Sequence, residues 1–233
     1  MKTVAILQSN YIPWKGYFDI ISRVDEFIIY DQVQYTKNDW RNRNQIKTHQ
    51  GKSWLTIPVS HKSIDQRIDE TVISDTKCFH KHWRSFCQSY ARAPYLAYCR
   101  DRLEAIFLED APTRSLSESN LKFINAICGM LDISTRITDS TEYELRGDRN
   151  VRLIELCKQA GASHYLSGPA ARSYIDEGAF LSEGINVVWM DYGHYPEYTQ
   201  PHPPFDHAVS ILDLLACTGP AARDYLLNDR KER

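Results

Sequence analysis

The sequence predicts an α/β fold of the Rossmann-like type, with a mainly parallel sheet, a β-hairpin and a helical insertion in the middle of the chain. Three observations support this prediction. The first apolar run, residues 4–7, shows no alternation, as expected for a strand buried on both faces of a parallel sheet. Strand-like and helical segments alternate toward both ends of the chain, whereas residues 78–131 show only helical patterns. We therefore expect one domain over residues 1–233, with 78–131 as a helical insertion or subdomain.

The first third of the chain is predicted to form a β-α-β unit followed by a hairpin. A helix over 15–24 follows the first strand and places Phe18, Ile21 and Val24, with Ile20, on one face. A second apolar strand over 26–30 completes a right-handed crossover, so the loops after both strands lie at the carboxyl edge of the sheet. β-rich segments at 43–48 and 52–59 flank His49-Gln50-Gly51, which suits a hairpin turn.

The middle of the chain is predicted to contain three helices, over 79–90, 94–108 and 115–131. Pro94 is placed in the first turn of the second helix, where proline is tolerated, and Ser117 is placed at a local cap of the third. The α/β pattern then resumes. The later predicted elements are a short strand near Thr135, a helix over 150–160, a strand over 164–166, helical turns after Pro169, a strand over 185–190 and a helix over 208–216.

Composition and charge exclude several classes of protein. The 28 Lys and Arg residues nearly balance 30 Asp and Glu residues, so no global electrostatic footprint for nucleic acid or an anionic membrane is present. No apolar stretch approaches the roughly 18 to 20 residues of a membrane span, and the N-terminus lacks the pattern of a secretion signal. We expect a soluble, cytoplasmic protein. Its six cysteines are scattered singly and are predicted to be reduced, buried hydrophobic residues.

The loop after the first strand is the first candidate site. It is unusually rich in aromatic and hydrogen-bonding side chains for a simple connection, since Gln8, Asn10, Tyr11, Trp14 and Lys15 follow one another closely. Flat apolar faces, amide groups and one positive charge are the groups that bind small polar ligands. We predict that this loop forms one wall of a binding site, with Tyr11 and Trp14 framing an acceptor molecule.

A second candidate follows the second strand, at residues 31–44. Arg41 and Arg43 are two residues apart on an extended segment, so they point the same way and can clamp a carboxylate or a phosphate. Asp39 or Asp31 is available as a general base. The alternative is a solvated surface loop with internal salt bridges. The substrate-binding residues predicted in this segment are Tyr35, Trp40, Arg41, Asn42 and Arg43.

Two later turns complete the predicted site. Ser167 and Gly168 end a strand directly before a helical start at Pro169, which exposes backbone N–H groups to an anion, although an ordinary helix cap has the same pattern. Asp191 lies in another aromatic loop after a strand. His80 and His82 cannot share one helical face, so no metal site is predicted. If the protein is an enzyme, we expect one cleft to bring together residues from all four turns. They are Gln8, Tyr11, Trp14, Asp39, Arg41, Ser167 and Asp191.

Several blocks of the sequence, in order, resemble the WbqC-like family of bacterial proteins. They are V-A-I-L-Q-S-N-Y-I-P-W-K-G-Y-F-D, Y-T-K-N-D-W-R-N-R-N, Y-L-S-G-P-A, W-M-D-Y and F-D-H-A-V-S-I-L-D-L-L. The resemblance spans nearly the whole chain and departs from the expected pattern at Ser9, where a proline is expected. It implies a transferase of surface-polysaccharide (O-antigen) biosynthesis, since members are described as transferases of glycine or other amino acids to amino sugars.

Such a reaction needs a base, donors for an oxyanion, and surfaces for sugar and nucleotide. The hypothesis is that Asp39 or Asp31 takes the proton, while Arg41 and Arg43 hold a carboxylate or phosphate. The expected partners are a nucleotide-linked amino sugar and an activated amino-acid donor, with a charged transfer RNA as the one nucleic acid considered. Whether a cofactor is needed is left unknown by the sequence.

Two alternatives remain open. Lys15 at a helix start is loosely similar to the phosphate site of nucleotidyltransferase-like folds, which suggests adenylate-forming or nucleotide-binding chemistry. A non-catalytic binding protein of a polysaccharide assembly complex would instead present its aromatic residues on a convex surface.

Overall fold

The computed structural model of the chain describes residues 1–226; the end of the predicted domain, 227–233, lies outside the described residues. The strands are β1 (Thr3–Leu7), β2 (Glu26–Ile29), β3 (Arg43–Thr48), β4 (Gly51–Thr56), β5 (Val59–Ser60), β6 (Val72–Ile73), β7 (Arg136–Asp139), β8 (His164–Ser167) and β9 (Asn186–Trp189). The α-helices are α1 (Lys15–Ser22), α2 (Cys78–Ser89), α3 (Leu96–Ala105), α4 (Leu116–Met130), α5 (Arg149–Gln159), α6 (Glu177–Ser182) and α7 (Ile211–Thr218).

A five-stranded parallel sheet organises the fold, in the order β7-β2-β1-β8-β9. The chain adds strands outward on one side of β1 and then returns to add β8 and β9 on the other side. This reversal of strand order beside β1 is the switch point of Rossmann-like folds, and ligands bind outside the carboxyl ends of the strands there. The predicted α/β fold with a mainly parallel sheet is confirmed, and β3 and β4 form the predicted antiparallel hairpin.

The sheet is buried on both faces, which explains the unbroken apolar run in β1. Val4 and Ile6 pack into a cluster with α5 and α6, whereas Ala5 between them packs into the larger cluster on the opposite face. Strand β2 divides its side chains in the same way, with Phe27 in the larger cluster and Ile28 in the smaller one. Successive side chains of a strand point to opposite faces, so burial of both faces favours apolar residues at successive positions.

Helix α1 is buried all round rather than on one face. Its apolar residues Phe18, Ile20 and Ile21 are fully buried as predicted, but Lys15 and Asp19 are also buried. The aromatic segment after β9 covers the polar side of the helix, where the Tyr195 hydroxyl donates to Asp19 Oδ2 at 2.6 Å. A buried carboxylate is tolerated when hydrogen bonds satisfy it. The sequence periodicity of α1 therefore identified its core face but not the cover over its polar face.

The helical middle packs into the same hydrophobic cluster as the sheet, through residues such as Phe79 and Phe123. Two local expectations there were wrong. Ser115, not Ser117, caps α4 by accepting a hydrogen bond from Glu118 N–H, the spacing at which serine caps favour glutamate. Pro94 lies before α3, which begins at Leu96. The helical turns after Pro169 form a 3-10 helix over Pro169–Ser173.

Candidate functional site

A cavity of about 720 Å³ opens at the carboxyl edge of the sheet, beside β1 and β8. Three neighbouring strands contribute residues at or just after their carboxyl ends: Leu7 and Gln8 from β1, Tyr30 from β2, and Ser167 and Gly168 from β8. The first turn of α5 and the segment after β2 close its sides. Its position is the switch point at which Rossmann-like sheets bind ligands, and its volume lies within the usual range for small-molecule sites.

The pairing of the strands accounts for the cavity. Strands β1 and β2 pair at four positions, from Val4 with Glu26 to Leu7 with Ile29. Strands β1 and β8 pair at only two, Thr3 with His164 and Val4 with Tyr165. The side chains and backbone at the carboxyl ends of β1 and β8 therefore face the cavity instead of continuing the ladder. This arrangement leaves backbone polar groups next to a ligand-sized space.

Three arginines line this cavity, Arg41, Arg149 and Arg152. Arg149 begins α5, and its guanidinium lies over the ring of Tyr174 at 4.6 Å. Arg152 donates from Nε to the carbonyl oxygen of Gly147 at 2.9 Å. Within residues 1–226, neither Arg149 nor Arg152 forms an ion pair with a carboxylate, so both keep donors for an anionic ligand.

Arg41 connects the two predicted loops. Its guanidinium donates to Gln8 Oε1 at 3.1 Å and to Asn10 Oδ1, two residues apart in the loop after β1. Helix α4 holds the backbone of Arg41 as well, because Asn120 Nδ2 donates to the Arg41 carbonyl oxygen at 2.9 Å. The predicted approach of Gln8 and Arg41 is therefore present in the structure, and both residues line the cavity.

The two aspartates predicted as bases do not line the cavity. Asp31 is buried and accepts from the Ser9 N–H at 2.7 Å and the Ser117 hydroxyl at 2.5 Å. Burial raises the pKa of Asp31, against the lowering effect of these hydrogen bonds. Asp39 accepts from the Thr36 hydroxyl at 2.9 Å and from the Trp40 N–H at 2.7 Å. Both carboxylates hold loops in place; their catalytic roles stay predictions.

Lys15 also lies apart from the cavity. It is buried, its Nζ donates to the Pro196 carbonyl oxygen at 3.3 Å, and the amine lies 4.8 Å from the centre of the Tyr195 ring. Burial lowers the pKa of Lys15 to about 8, although Asp213 and Asp19 act in the opposite direction. An amine enclosed by rings cannot reach a phosphate in the cavity. Lys15 therefore does not belong to this cavity, and the adenylate interpretation stays a prediction.

Several predicted binding residues have structural contacts instead. Tyr11 is fully buried, and its hydroxyl lies 2.8 Å from His82 Nδ1. Tyr35 and Asn42 are buried, and Asn42 Nδ2 donates to the Ile57 carbonyl oxygen at 2.9 Å. Arg43 points away from Arg41, because its guanidinium lies 4.1 Å from the centre of the Trp54 ring. The expected double clamp by Arg41 and Arg43 is therefore not formed.

The single predicted cleft is formed only in part. Gln8, Arg41, Ser167 and Gly168 line the cavity, and Asn10, Trp14 and Trp40 line a separate pocket of about 250 Å³. Asp191 is exposed in a loop, where its carboxylate accepts from the Gly193 N–H at 2.8 Å and neighbours His194. Tyr11, Asp39 and Asp191 line neither of the two.

Sequence reasoning missed the residues at the start of α5. Asp148 caps this helix by accepting from the Val151 N–H at 3.0 Å, and it lines the cavity together with Arg149 and Arg152. Asp148 is the one carboxylate in the cavity lining. A usable signal was present, since a helix start with Asp, Arg and Asn follows strand β7 in the way that ligand-binding turns follow strands.

Two further properties bear on the chemistry. Over residues 1–226, no group of three or more His, Cys, Asp or Glu side chains is arranged to hold a metal ion. All six cysteines are free thiols, as predicted, and burial raises the pKa of Cys78 to about 12. Within the same residues, every helix is too short or too polar to cross a membrane.

Sequence comparison relates the chain to a protein family and to one curated protein. The chain is 52% identical over 227 residues to "Uncharacterized protein Rv1507c" of Mycobacterium tuberculosis (strain ATCC 25618 / H37Rv), a match that covers 97% of this chain and 98% of that protein. No solved structure gives a significant match. The profile of the WbqC-like protein family matches residues 8–225, which include the loop after β1, the arginines of the cavity and helix α7. The chain belongs to the WbqC-like protein family.

Proposed function

We propose that the protein binds a phosphate-bearing small molecule in the 720 Å³ cavity at the switch point and transfers a group to or from it. The observation that carries the proposal is the presence of three arginines in one cavity at the carboxyl ends of β1, β2 and β8. Guanidinium groups form paired, charge-assisted hydrogen bonds with phosphate. The hydroxyls of Tyr165 and Ser167 add neutral hydrogen-bonding groups to the same wall.

The specific reaction that we propose is the transfer of glycine, or another aminoacyl group, to an amino sugar linked to a nucleotide, in the cytoplasm. The sugar amine attacks the carbonyl carbon of an activated amino-acid donor. A C–N bond forms, the bond from that carbon to the donor's leaving group breaks, and the amine loses one proton to a base. The arginines hold the diphosphate, which fixes the amine without taking part in bond formation.

Asp148 is the proposed base, since it supplies the carboxylate in the cavity lining. Replacing Asp148 with asparagine keeps the helix cap, because asparagine caps helices as well as aspartate does, but removes the basic oxygen. We expect Asp148→Asn to lower turnover by at least about 100-fold, the usual range for loss of a general base. The affinity for UDP should stay within about twofold of the wild type. The assay is mass-spectrometric detection of glycylated UDP-glucosamine, with either glycine and ATP or glycyl transfer RNA as donor.

Asp39→Asn tests the alternative base, because Asp39 lies outside the cavity lining but its carboxylate lies 3.8 Å from the guanidinium of Arg41. A variant that loses turnover at Asp39 while Asp148→Asn stays active would move the role of base to Asp39. Absence of transfer by the wild-type protein with both donors would contradict aminoacyl transfer itself and would favour a protein that only binds its ligand.

Binding of phosphate is tested separately from transfer, by isothermal titration calorimetry with pyrophosphate and UDP. The double change Arg149→Ala and Arg152→Ala should weaken the affinity for UDP by roughly 10- to 100-fold. Each charge-assisted hydrogen bond contributes about 1.5–3 kcal/mol, partly screened at an open cavity, and about 1.4 kcal/mol is tenfold in affinity. The wild-type affinity should also fall as ionic strength rises.

Arg146→Ala is the control for this measurement. Arg146 precedes α5, is exposed and pairs with Glu144 at 2.7 Å, but it does not line the cavity. Its removal should leave the affinity for UDP unchanged. Equal affinity of the wild type and the double variant for UDP would refute the proposed phosphate site.

A further inference from the structure

A second, smaller pocket lies on the other side of the loop that follows β1. Its volume is about 250 Å³, and it is lined by Asn10, Pro13, Trp14, Trp40, Asn44 and Ala208. No charged side chain belongs to this lining, whereas three arginines line the neighbouring cavity. The pocket is smaller than sites for drug-sized ligands, which start at about 300 Å³. Its size and neutrality suit one uncharged ring.

The two indole rings differ in how firmly they are held. Trp14 packs edge-on against Tyr192 at 5.1 Å and Tyr195 at 5.8 Å, and its ring lies directly on Gly16. A Cβ atom at Gly16 would be only 2.3 Å from the Trp14 ring, so glycine at this position allows the ring to lie there. Trp14 therefore forms a fixed apolar wall.

Trp40 forms the open wall of the pocket. It is 44% exposed, although large apolar rings are usually buried. Its ring packs against Trp54 at 5.6 Å, and Arg43 covers Trp54 from 4.1 Å. This ladder supports Trp40 from behind without burying it. An exposed ring that is held in place offers an apolar face to a ligand at little cost in conformational entropy.

Hydrogen-bonding capacity in the pocket comes from amides. Asn44 uses its Nδ2 to hold the carbonyl oxygens of Tyr11 and Ile12, at 3.1 and 3.0 Å, so it fixes the loop. Asn10 accepts from Arg41 through its carbonyl oxygen, which leaves its amide N–H₂ as a donor toward a hydroxyl group. A saturated ring with hydroxyls has both an apolar face for indole and oxygens for the amide.

Arg41 places this pocket beside the phosphate cavity. Its guanidinium binds Gln8, which lines the cavity, and Asn10, which lines the pocket. A ligand whose diphosphate is bound in the cavity therefore has a path for its terminal ring past Arg41 into the pocket. From these observations we infer that the aromatic pocket is a second subsite, which packs against the apolar face of the pyranose ring of a diphosphate-linked sugar. This inference rests on the proposed function of the phosphate cavity.

The test compares UDP-glucose with UDP by titration calorimetry in the wild type and two variants. Trp40→Ala removes the open wall, and Ala208→Phe fills the pocket from an exposed position without changing an arginine. Each change should lower the affinity for UDP-glucose by about tenfold and the affinity for UDP by less than twofold. Trp189→Ala is the control, because Trp189 lies on β9 and lines neither the cavity nor the pocket.

The possible outcomes separate this inference from the proposed function. Equal affinity for UDP-glucose in the wild type and both variants would overturn the subsite, while UDP binding that depends on Arg149 and Arg152 would leave the phosphate cavity intact. An equal loss of affinity for UDP and UDP-glucose in Trp40→Ala would also overturn the sugar subsite, because the pocket would then hold the uracil base. Loss of arginine-dependent UDP binding would instead remove the proposed function on which the subsite rests.

Discussion

Replacing Asp213 with alanine should lower the free energy of unfolding by about 3–5 kcal/mol. Asp213 lies on α7, is fully buried and accepts three hydrogen bonds, from the Tyr90 hydroxyl at 2.6 Å, the Tyr198 hydroxyl at 2.7 Å and Gln200 Nε2 at 2.8 Å. Alanine would leave the buried Tyr90 hydroxyl and the half-buried Tyr198 hydroxyl without this acceptor, while Gln200 Nε2 would keep the Asp206 carbonyl oxygen at 2.9 Å. Each such group costs about 1–3 kcal/mol, and local rearrangement recovers part of the sum.

The network explains why the loss should spread through the fold. The Tyr90 hydroxyl, at the end of α2, also accepts from the Lys47 N–H on β3 at 3.1 Å. Lys47 Nζ in turn donates to Gln200 Oε1 at 2.8 Å. One carboxylate therefore connects α2, the hairpin, α7 and the segment after β9. Burial raises the pKa of Asp213, while the hydrogen bonds from Tyr90, Tyr198 and Gln200 act in the opposite direction.

Urea unfolding at pH 7 measures the effect. Asp213→Asn should cost less than alanine, because its amide oxygen still accepts and either tyrosine hydroxyl can rotate to accept from its N–H₂. Asp65→Ala, at an exposed position, should stay within about 0.5 kcal/mol of the wild type. A loss below about 1 kcal/mol in Asp213→Ala would contradict the role given to the network.

The regular elements of the sheet followed from local sequence, since β1 and β2 are buried on both faces and carry unbroken apolar runs at 4–7 and 27–29. The site was predicted less completely, for a physical reason. The cavity exists because β1 and β8, about 160 residues apart in sequence, stop pairing after two positions. Arg149 and Arg152 reach it only because α5 packs beside β8. No local sequence pattern records this packing between distant segments. The loop after β1 was therefore predicted from the sequence, whereas Arg149 and Arg152 were not.

The sequence located the candidate loops, but it did not distinguish polar side chains that bind ligands from those that support the loops. Asp31 and Arg43 are of the types used in catalysis, yet one holds Ser9 and Ser117 and the other covers Trp54. A loop that positions ligand-binding residues also needs internal support, and the same side-chain types provide both. Only the tertiary contacts distinguish Arg41, which lines the cavity, from Arg43, which does not.

Acid should destabilise the protein through His82, by about 2.5 kcal/mol between pH 7 and pH 4.5. Burial lowers the pKa of His82 from its ordinary value of 6.5 to about 4, with a smaller lowering effect from Lys81 and an opposing one from the Thr56 carbonyl oxygen. The unfolded chain therefore binds a proton near pH 6.5, while the folded protein does not until about pH 4. The contribution of His82 to the free energy of unfolding is therefore retained above pH 6.5. It falls as the pH decreases toward 4, by up to about 1.36 kcal/mol per pH unit.

Protonation would also act on the candidate site, because the His82 ring holds Tyr11. The Tyr11 hydroxyl lies 2.8 Å from His82 Nδ1, and a protonated ring has no lone pair to accept its hydrogen bond. Tyr11 is the buried centre of the loop that carries Gln8 on one side and Trp14 on the other.

The variant His82→Gln keeps an acceptor for Tyr11 but cannot titrate in this range. Its loss of stability between pH 7 and pH 4.5 should be about 2.5 kcal/mol smaller than that of the wild type, measured by urea unfolding at each pH. Carboxylates such as Glu26, whose lowered pKa also favours acid unfolding, are common to both proteins and cancel in the difference. Equal acid losses in the two proteins would show that His82 is already protonated, or exposed, in the folded state, and would remove this support from the loop.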